Sequence, residues 1–206
     1  MLHPMKRAIL AAVATLAWTG VAGGQVKTGD PAKRGLSQSD FPRAKQLAPG
    51  VYSYEALRGG DPGGFMTTVS LIVITTDGVL VADGQGNVEA TRAMVDWIAK
   101  TTTQPIKYVI VGSDHGDHTV GNAAFPENAT FISHPTSKKV LETAKSARIP
   151  TETVDDRRTI TLVHESGFQT TVELPDFVSQ GEEVGDVARI VIAAWERQEA
   201  LKGVGG

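Results

Sequence analysis

Side chains able to bind a metal ion are concentrated at residues 113–118, where the sequence reads Ser-Asp-His-Gly-Asp-His. Two of the five histidines of the chain, His115 and His118, fall within four positions of each other here, and Asp117 directly precedes the second. Imidazole nitrogen and carboxylate oxygen together suit zinc, and a single short loop can point several such ligands at one ion. The alternative is a polar turn whose histidines only make hydrogen bonds. The added Asp favours a metal site.

The elements before this loop indicate where it lies in the fold. Residues 106–111 are Ile-Lys-Tyr-Val-Ile-Val, which predicts a buried strand that ends at the loop. Residues 79–83 predict an earlier strand, and residues 88–100 a helix that Asn87 can cap. Strand, helix and strand in this order form a βαβ unit with parallel strands. Asp83 and the loop are therefore expected at the same sheet edge, where open α/β sheets usually place their sites.

Short strands and helices are predicted for the rest of the chain. The predicted strands are residues 51–54, 69–75, 130–133, 159–163 and 170–174, and the predicted helices run from Pro135 to about Ala147 and from Glu182 to about Leu201. Asp77 and Gly78 predict a hairpin turn between two apolar runs, because glycine accepts a positive φ. Regular structure is expected to begin at Val51.

The amino terminus has the pattern of a secretory signal. Lys6 and Arg7 precede an apolar run over residues 8–22, and small residues follow at Gly23 and Gly24. This run is shorter than the roughly 20 residues that span a bilayer, so no stable membrane anchor is expected after cleavage. The sequence therefore predicts a signal peptide at residues 1–24 and a mature protein that is periplasmic or secreted.

The remaining chain divides by composition into three segments. Residues 25–43 are polar and predict a flexible lead-in, residues 44–175 a single globular domain, and residues 176–206 an amphipathic helix. The net charge of −3 gives no electrostatic case for nucleic acid, so the expected partner is a small-molecule substrate, and a homo-oligomer stays open. Cysteine is absent, which restricts zinc ligands to histidine, carboxylate and water.

Residues 51–134 resemble the amino-terminal half of the metallo-β-lactamase fold, whose metal loop usually reads His-x-His-x-Asp-His. His115, Asp117 and His118 match the second His, the Asp and the last His of that motif. Asp83-Gly84 resembles the acidic turn that ends an earlier strand in the family, and Gly121-Asn122 its small-residue turn. The resemblance implies an α/β fold, layered as an αββα sandwich, of which this chain is expected to have the amino-terminal half and an atypical carboxyl-terminal helix.

The same resemblance implies a zinc-dependent hydrolase. It gives His115, Asp117 and His118 as metal ligands, with Asp117 also orienting the attacking water, and it implies one zinc ion or two, with one favoured. Three further residues are expected to contact these ligands without binding the ion themselves: Asp83, Asp114 and His134. The substrate is expected to contain an ester, a lactam or a thioester, attacked by a zinc-activated water.

Two departures from the family pattern leave other functions open. Ser113 replaces the first histidine of the motif, and the histidines after the motif, His134 and His164, do not lie in the sequence contexts of the family's distal ligands. His164 lies in a predicted hairpin, where a structural role is expected. The alternatives to a hydrolase are a truncated or inactive metal-binding remnant without turnover, and a non-catalytic exported binding protein.

Overall fold

A seven-stranded mixed sheet, with its strands adjacent in the order of the sequence, forms the centre of the fold. The computed structural model describes residues 29–59, 64–154, 158–163 and 169–174. The strands of this sheet are β1 Arg43–Ala48, β2 Val51–Gly59, β3 Phe65–Thr75, β4 Gly78–Ala82, β5 Ile106–Val111, β6 Thr130–Ser133 and β7 Glu152–Thr153. A hairpin adds β8 Arg158–Val163 and β9 Gln169–Leu174, and the α-helices are α1 Val88–Thr101, α2 Gly116–Thr119 and α3 Pro135–Thr143.

The strand directions change from antiparallel to parallel at β4. Strands β1 to β4 form a meander, and Gly78 takes a φ of 138° in the turn between β3 and β4, as the sequence predicts. Strand β4 then pairs in parallel with β5 after the crossover through α1, which confirms the predicted βαβ unit. Strands β6 and β7 continue the parallel half. The carboxyl ends of β4, β5 and β6 therefore lie along one sheet edge.

Both described helices of more than one turn begin at the expected residues. Asn87 caps α1, because its Oδ1 accepts a hydrogen bond of 2.7 Å from the Ala90 backbone N–H. Pro135 is the first residue of α3, a position where proline loses no helical hydrogen bond. The prediction that this helix extends to about Ala147 is wrong. It ends at Thr143, and Lys145 adopts a left-handed φ of 52°, which cannot continue a right-handed helix.

The two faces of the large sheet are covered by different layers. One face packs against the helices, with Met94 and Ile98 of α1 and Leu141 of α3 buried on it. The opposite face packs against the β8–β9 hairpin through Ile160 and Leu162. The described residues thus form a helix layer, a large sheet and a small sheet, three successive layers of the predicted αββα sandwich. The prediction of the hairpin itself is confirmed.

Regular structure begins earlier than the sequence predicts. The described part of the lead-in contains short 3₁₀ helices at Ala32–Arg34 and Gln38–Asp40, and β1 starts at Arg43 rather than at Val51. Nη2 of Arg34 donates to both carboxylate oxygens of Glu55, at 3.0 and 2.7 Å, and Nη1 donates to Oγ1 of Thr67 at 3.2 Å. A charged contact, invisible to hydrophobic periodicity, therefore joins this segment to the sheet.

Three features predicted from the sequence lie outside the described residues: the signal peptide at residues 1–24, His164, and the helix at residues 176–206. Within the described ranges, no helix has the length and apolar character needed to cross a membrane.

Replacing Arg34 tests the contact between the early segment and the sheet. We expect Arg34→Met to lower the free energy of unfolding by about 1–3 kcal/mol, because Glu55 is left as a largely buried carboxylate without its cation. Lys33→Met is the matched control, since Lys33 is 71% exposed and its change is expected within about 0.5 kcal/mol. Urea unfolding measures both variants, and equal effects would contradict the prediction.

Candidate functional site

Asp83 lies where β4 ends, and its carboxylate is fully buried. Its backbone is in the left-handed region, with a φ of 62°, which aspartate adopts more readily than most residues. Oδ1 accepts a hydrogen bond of 2.7 Å from the Gly112 backbone N–H, at the end of β5. Oδ2 lies 3.1 Å from Nδ1 of His118. One buried carboxylate thus joins the ends of two parallel strands to His118.

The loop after β5 is bound to the turn after β4 through its backbone. Gly84 N–H donates to the His118 carbonyl at 3.0 Å, and Gly121 N–H donates to the Gln85 carbonyl at 3.1 Å. The two segments approach so closely that a Cβ on Gly84 would overlap Oδ1 of Asn122. The position of His118 is consequently set by backbone contacts on one side and by the Asp83 carboxylate on the other.

His118 and Asp117 face each other within the short helix α2. Because Nδ1 of His118 is held by Asp83, the other ring nitrogen, Nε2, is the one that faces Asp117, at 3.5 Å from Oδ2. Two ligands of a tetrahedral zinc ion, each about 2.0–2.1 Å from the metal, lie about 3.3–3.4 Å apart. The separation of these two atoms therefore fits a pair of zinc ligands. The buried carboxylate behind the imidazole is the usual partner of a metal-binding histidine.

His115 and Asp114 lie on the outer side of the loop. His115 is exposed at the residue before α2, and its carbonyl accepts from Oγ1 of Thr119 at 2.9 Å. Asp114 is half-buried beside it. Across the described ranges, no three histidine, aspartate or glutamate side chains lie close enough together to hold one metal ion. The structure brings Asp83, Asp117 and His118 together, and the role of His115 as a ligand stays a prediction.

His134 lies at the end of β6, at the same sheet edge as residues 113–118. Its Nδ1 accepts a hydrogen bond of 3.1 Å from the Thr136 backbone N–H, so the imidazole is the N-cap of α3. This contact gives His134 a structural function that the sequence analysis did not foresee. A role in supporting the metal ligands stays a prediction.

Arg58 is a residue of the site that sequence reasoning missed. It lies near the end of β2, and its Nε is 3.2 Å from Oδ2 of Asp117. It follows Tyr54 and Ala56 at intervals of two, and both of these are buried against the helix layer. A strand places residues two apart on the same face, so this alternation was the available signal that Arg58 points toward the helices rather than to the opposite face.

Two buried polar side chains flank the same turn with unpaired atoms. Gln85 is fully buried, and its Nε2 donates to Oγ of Ser70 at 2.7 Å, but its Oε1 has no protein hydrogen-bond partner. Asn122 is also buried, at 1% exposed, and neither its Oδ1 nor its Nδ2 has a protein hydrogen-bond partner. Unpaired buried polar atoms are uncommon in folded proteins. Gln85 follows Gly84 in the chain and Asn122 packs against it, so both sets of unpaired atoms lie next to this turn.

The pKa of His118 reflects opposing influences. Burial lowers the pKa, because it disfavours the charged imidazolium, and the nearby Arg58 acts in the same direction. The hydrogen bond to Asp83 and the negative charges of Asp83 and Asp117 raise it. The net result is a pKa above the ordinary value of 6.5.

Several solved metallo-β-lactamases are similar to this chain in structure. One from Pontibacter korlensis matches with a TM-score of 0.55 and 19% identity, over 63% of this chain and 59% of its own. One from Hirschia baltica matches at 0.51 and 18%, over 63% and 65%. The mono-zinc form of FIM-1 from Pseudomonas aeruginosa matches at 0.52 and 13%, over 63% of both chains.

These matches confirm the fold class that the sequence predicts, and this chain spans less than two thirds of the length of each of the three structures. No protein-family model and no curated protein matches the sequence.

The raised pKa of His118 predicts how stability depends on pH in the metal-free protein. A group whose pKa is raised by folding contributes stability that is fully present below its unfolded pKa of about 6.5 and is lost as the pH rises through the folded value. The difference in unfolding free energy between the unmodified protein and His118→Gln should therefore decrease from pH 5.5 to pH 8.5. Urea unfolding in the presence of a chelator measures it. His115→Gln, which removes an exposed imidazole, is the control, and the same decrease in that variant would refute the assignment.

Close packing at Gly121 predicts a steric requirement for glycine. A Cβ there would overlap Oγ1 of Thr91 and lie 2.6 Å from the Asn87 and Gln85 carbonyls. We expect Gly121→Ala to lower the unfolding free energy by about 1–3 kcal/mol. Gly116→Ala, whose Cβ would meet only Cγ2 of Val120 at 3.4 Å, is the control and should change it by less than about 0.5 kcal/mol. A neutral Gly121→Ala in thermal or urea unfolding would show that the loop is not clamped at this point.

Proposed function

Because the chain has the metallo-β-lactamase fold, we propose that it is a zinc-dependent hydrolase of that superfamily, acting on an ester, a lactam or a thioester. The observation that carries this proposal is the line of contacts from the buried Asp83 carboxylate through the His118 imidazole to Asp117. Such a line presents one ring nitrogen and one carboxylate oxygen at a separation suited to zinc. The mono-zinc form of FIM-1 provides a precedent within this fold for a single ion.

In this proposal, Asp83 determines which nitrogen of the His118 ring binds the zinc ion. By accepting the Nδ1 proton, its carboxylate fixes the tautomer in which Nε2 carries the free lone pair, and it increases the basicity of that nitrogen. The bond from Gly112 N–H to the other carboxylate oxygen keeps Asp83 itself in place. The imidazole is thus oriented before a metal ion arrives.

Asp117 and His115 complete the proposed ligand set. Asp117 offers Oδ2 to the ion and can orient the attacking water, while His115 supplies a second imidazole from the start of the same short helix. Zinc, when bound, would supply the Lewis acidity that lowers the pKa of a water molecule and polarises the substrate carbonyl. Asp114 and His134, which lie at the same sheet edge, are proposed to support this set. Ser113 stands where the family has a further histidine, which favours one ion over two.

The cellular setting belongs to the same proposal. The basic and apolar pattern of residues 1–24 supports export, so the mature protein would be periplasmic or secreted. The net charge of −3 supports a small-molecule substrate rather than nucleic acid.

Zinc titration of the purified chain tests the ligand assignment. We expect His118→Ala to remove most of the zinc affinity, because it deletes the oriented nitrogen, and Asp83→Asn to weaken binding by about 10- to 100-fold. His164→Ala should leave the affinity nearly unchanged. Competitive chelator titration gives the affinities and plasma emission the stoichiometry. Equal losses in His118→Ala and His164→Ala would mean that the ligand set is misplaced.

Turnover is tested separately, on the zinc-loaded protein. Hydrolysis of a chromogenic lactam, an ester and a thioester should be abolished by His118→Ala and by a chelator, and restored by added zinc only in the unmodified chain. Zinc binding without hydrolysis of any of the three would identify a metal-binding protein without this activity, and absence of zinc binding would refute the proposal.

A further inference from the structure

One carboxylate oxygen in the site contacts two different nitrogen groups. Oδ2 of Asp117 lies 3.5 Å from Nε2 of His118 and 3.2 Å from Nε of Arg58. The arginine reaches it from β2, whereas the histidine belongs to α2. The oxygen that the proposed zinc ion needs is therefore already paired with a permanent cation.

We propose that Arg58 is an internal counter-cation of Asp117 that competes with the metal ion and sets the affinity of the site. This inference rests on the proposed function, in which Asp117 Oδ2 is a zinc ligand. Arg58 keeps its charge at all physiological pH values, because the guanidinium pKa is above about 12. Binding of zinc would require that Oδ2 exchange an arginine contact for a metal bond, which lowers the apparent affinity.

The opposite role, in which Arg58 orients Asp117 for the metal, fits the contacts less well. A residue that supports a metal-binding carboxylate normally binds the oxygen turned away from the ion, which leaves the other oxygen free. Here Arg58 contacts the same oxygen that faces Nε2 of His118. Its Nε is buried and at ion-pair distance, yet it lacks the geometry of a hydrogen bond to any protein atom. The contact is thus electrostatic rather than directional, as expected for a displaceable cation.

The sheet places the backbone of Arg58 next to the turn after β4. Arg58 pairs with Met66 in the β2–β3 ladder. A Cβ placed on Gly86 would lie 3.4 Å from Cβ of Arg58 and 3.7 Å from Cα of Asp117, so the turn after β4 passes close to both residues. The side chains of Arg58 and Asp117 are 35% and 26% exposed, and this exposure screens the ion pair and limits the expected effect.

Zinc affinity measured in charge-matched variants of the full chain tests the inference. We expect Arg58→Met to raise the zinc affinity about tenfold, because Asp117 loses its competing cation. Arg58→Lys should stay within about threefold of the unmodified chain, since the positive charge is kept. Arg92→Met, an exposed change on α1 that alters the net charge equally, should also stay within about threefold. The probe is zinc alone, in competitive chelator titration at constant pH and ionic strength.

A second background shows whether Arg58 acts through Asp117. In Asp117→Asn, the gain from Arg58→Met should disappear, because the carboxylate for which the two cations compete is gone. An affinity that is unchanged or lowered in Arg58→Met, or a gain of the same size in Asp117→Asn, would overturn the inference and leave the zinc proposal standing. Absence of zinc binding in the unmodified chain and in every variant would instead overturn both.

Discussion

The hydrogen bonds of the buried Asp83 carboxylate are the interactions on which the arrangement of the site depends. A carboxylate removed from water is costly unless its oxygens are well paired. Its two oxygens are paired with the Gly112 backbone N–H and with the His118 ring. Since these partners belong to the end of β5 and to the loop beyond it, Asp83 is accommodated only when β5 lies beside β4. The fold and the site are therefore stabilised by the same contacts.

This dependence explains why the turn and loop contain small residues at the points of closest approach. The backbone bonds between the two segments bring Gly84 against Asn122 and Gly121 against Thr91, with no room for a Cβ at either glycine. Because the two segments lie so close together, the short side chains of Asp83 and His118 reach each other. Short side chains lose less rotamer entropy on being ordered than long, flexible ones. The large sheet that carries these strand ends is packed on both faces.

The parts of the fold that follow from local periodicity could be predicted from the sequence. Apolar alternation gives most of the strands, Asn87 marks the start of α1, and the order strand, helix, strand predicts the parallel pairing of β4 with β5. Strand β1 was missed because a charged edge strand carries no apolar pattern; it is ordered by its ladder with β2. The segment around Arg34 was missed because it is joined to the sheet by a charged contact with Glu55. The sequence predicted that Asp83 and the loop at residues 113–118 share a sheet edge. It did not predict the contact between Asp83 and His118, because the distance between these side chains depends on the backbone conformation of the turn.

Arg58 shows what sequence motifs omit. It lies 59 positions before Asp117 and belongs to no motif, because its neighbourhood is created by the pairing of β2 with β3 and by the turn at Gly86. The charged groups of the site come from different elements. Asp83, after β4, contacts the His118 imidazole, and Arg58, in β2, contacts Asp117. The negative charges of Asp83 and Asp117 flank the same imidazole, and the Arg58 guanidinium offsets part of this charge. The positive charge that offsets Asp117 in the metal-free site is, in our proposal, the same charge that would oppose a metal ion at Oδ2.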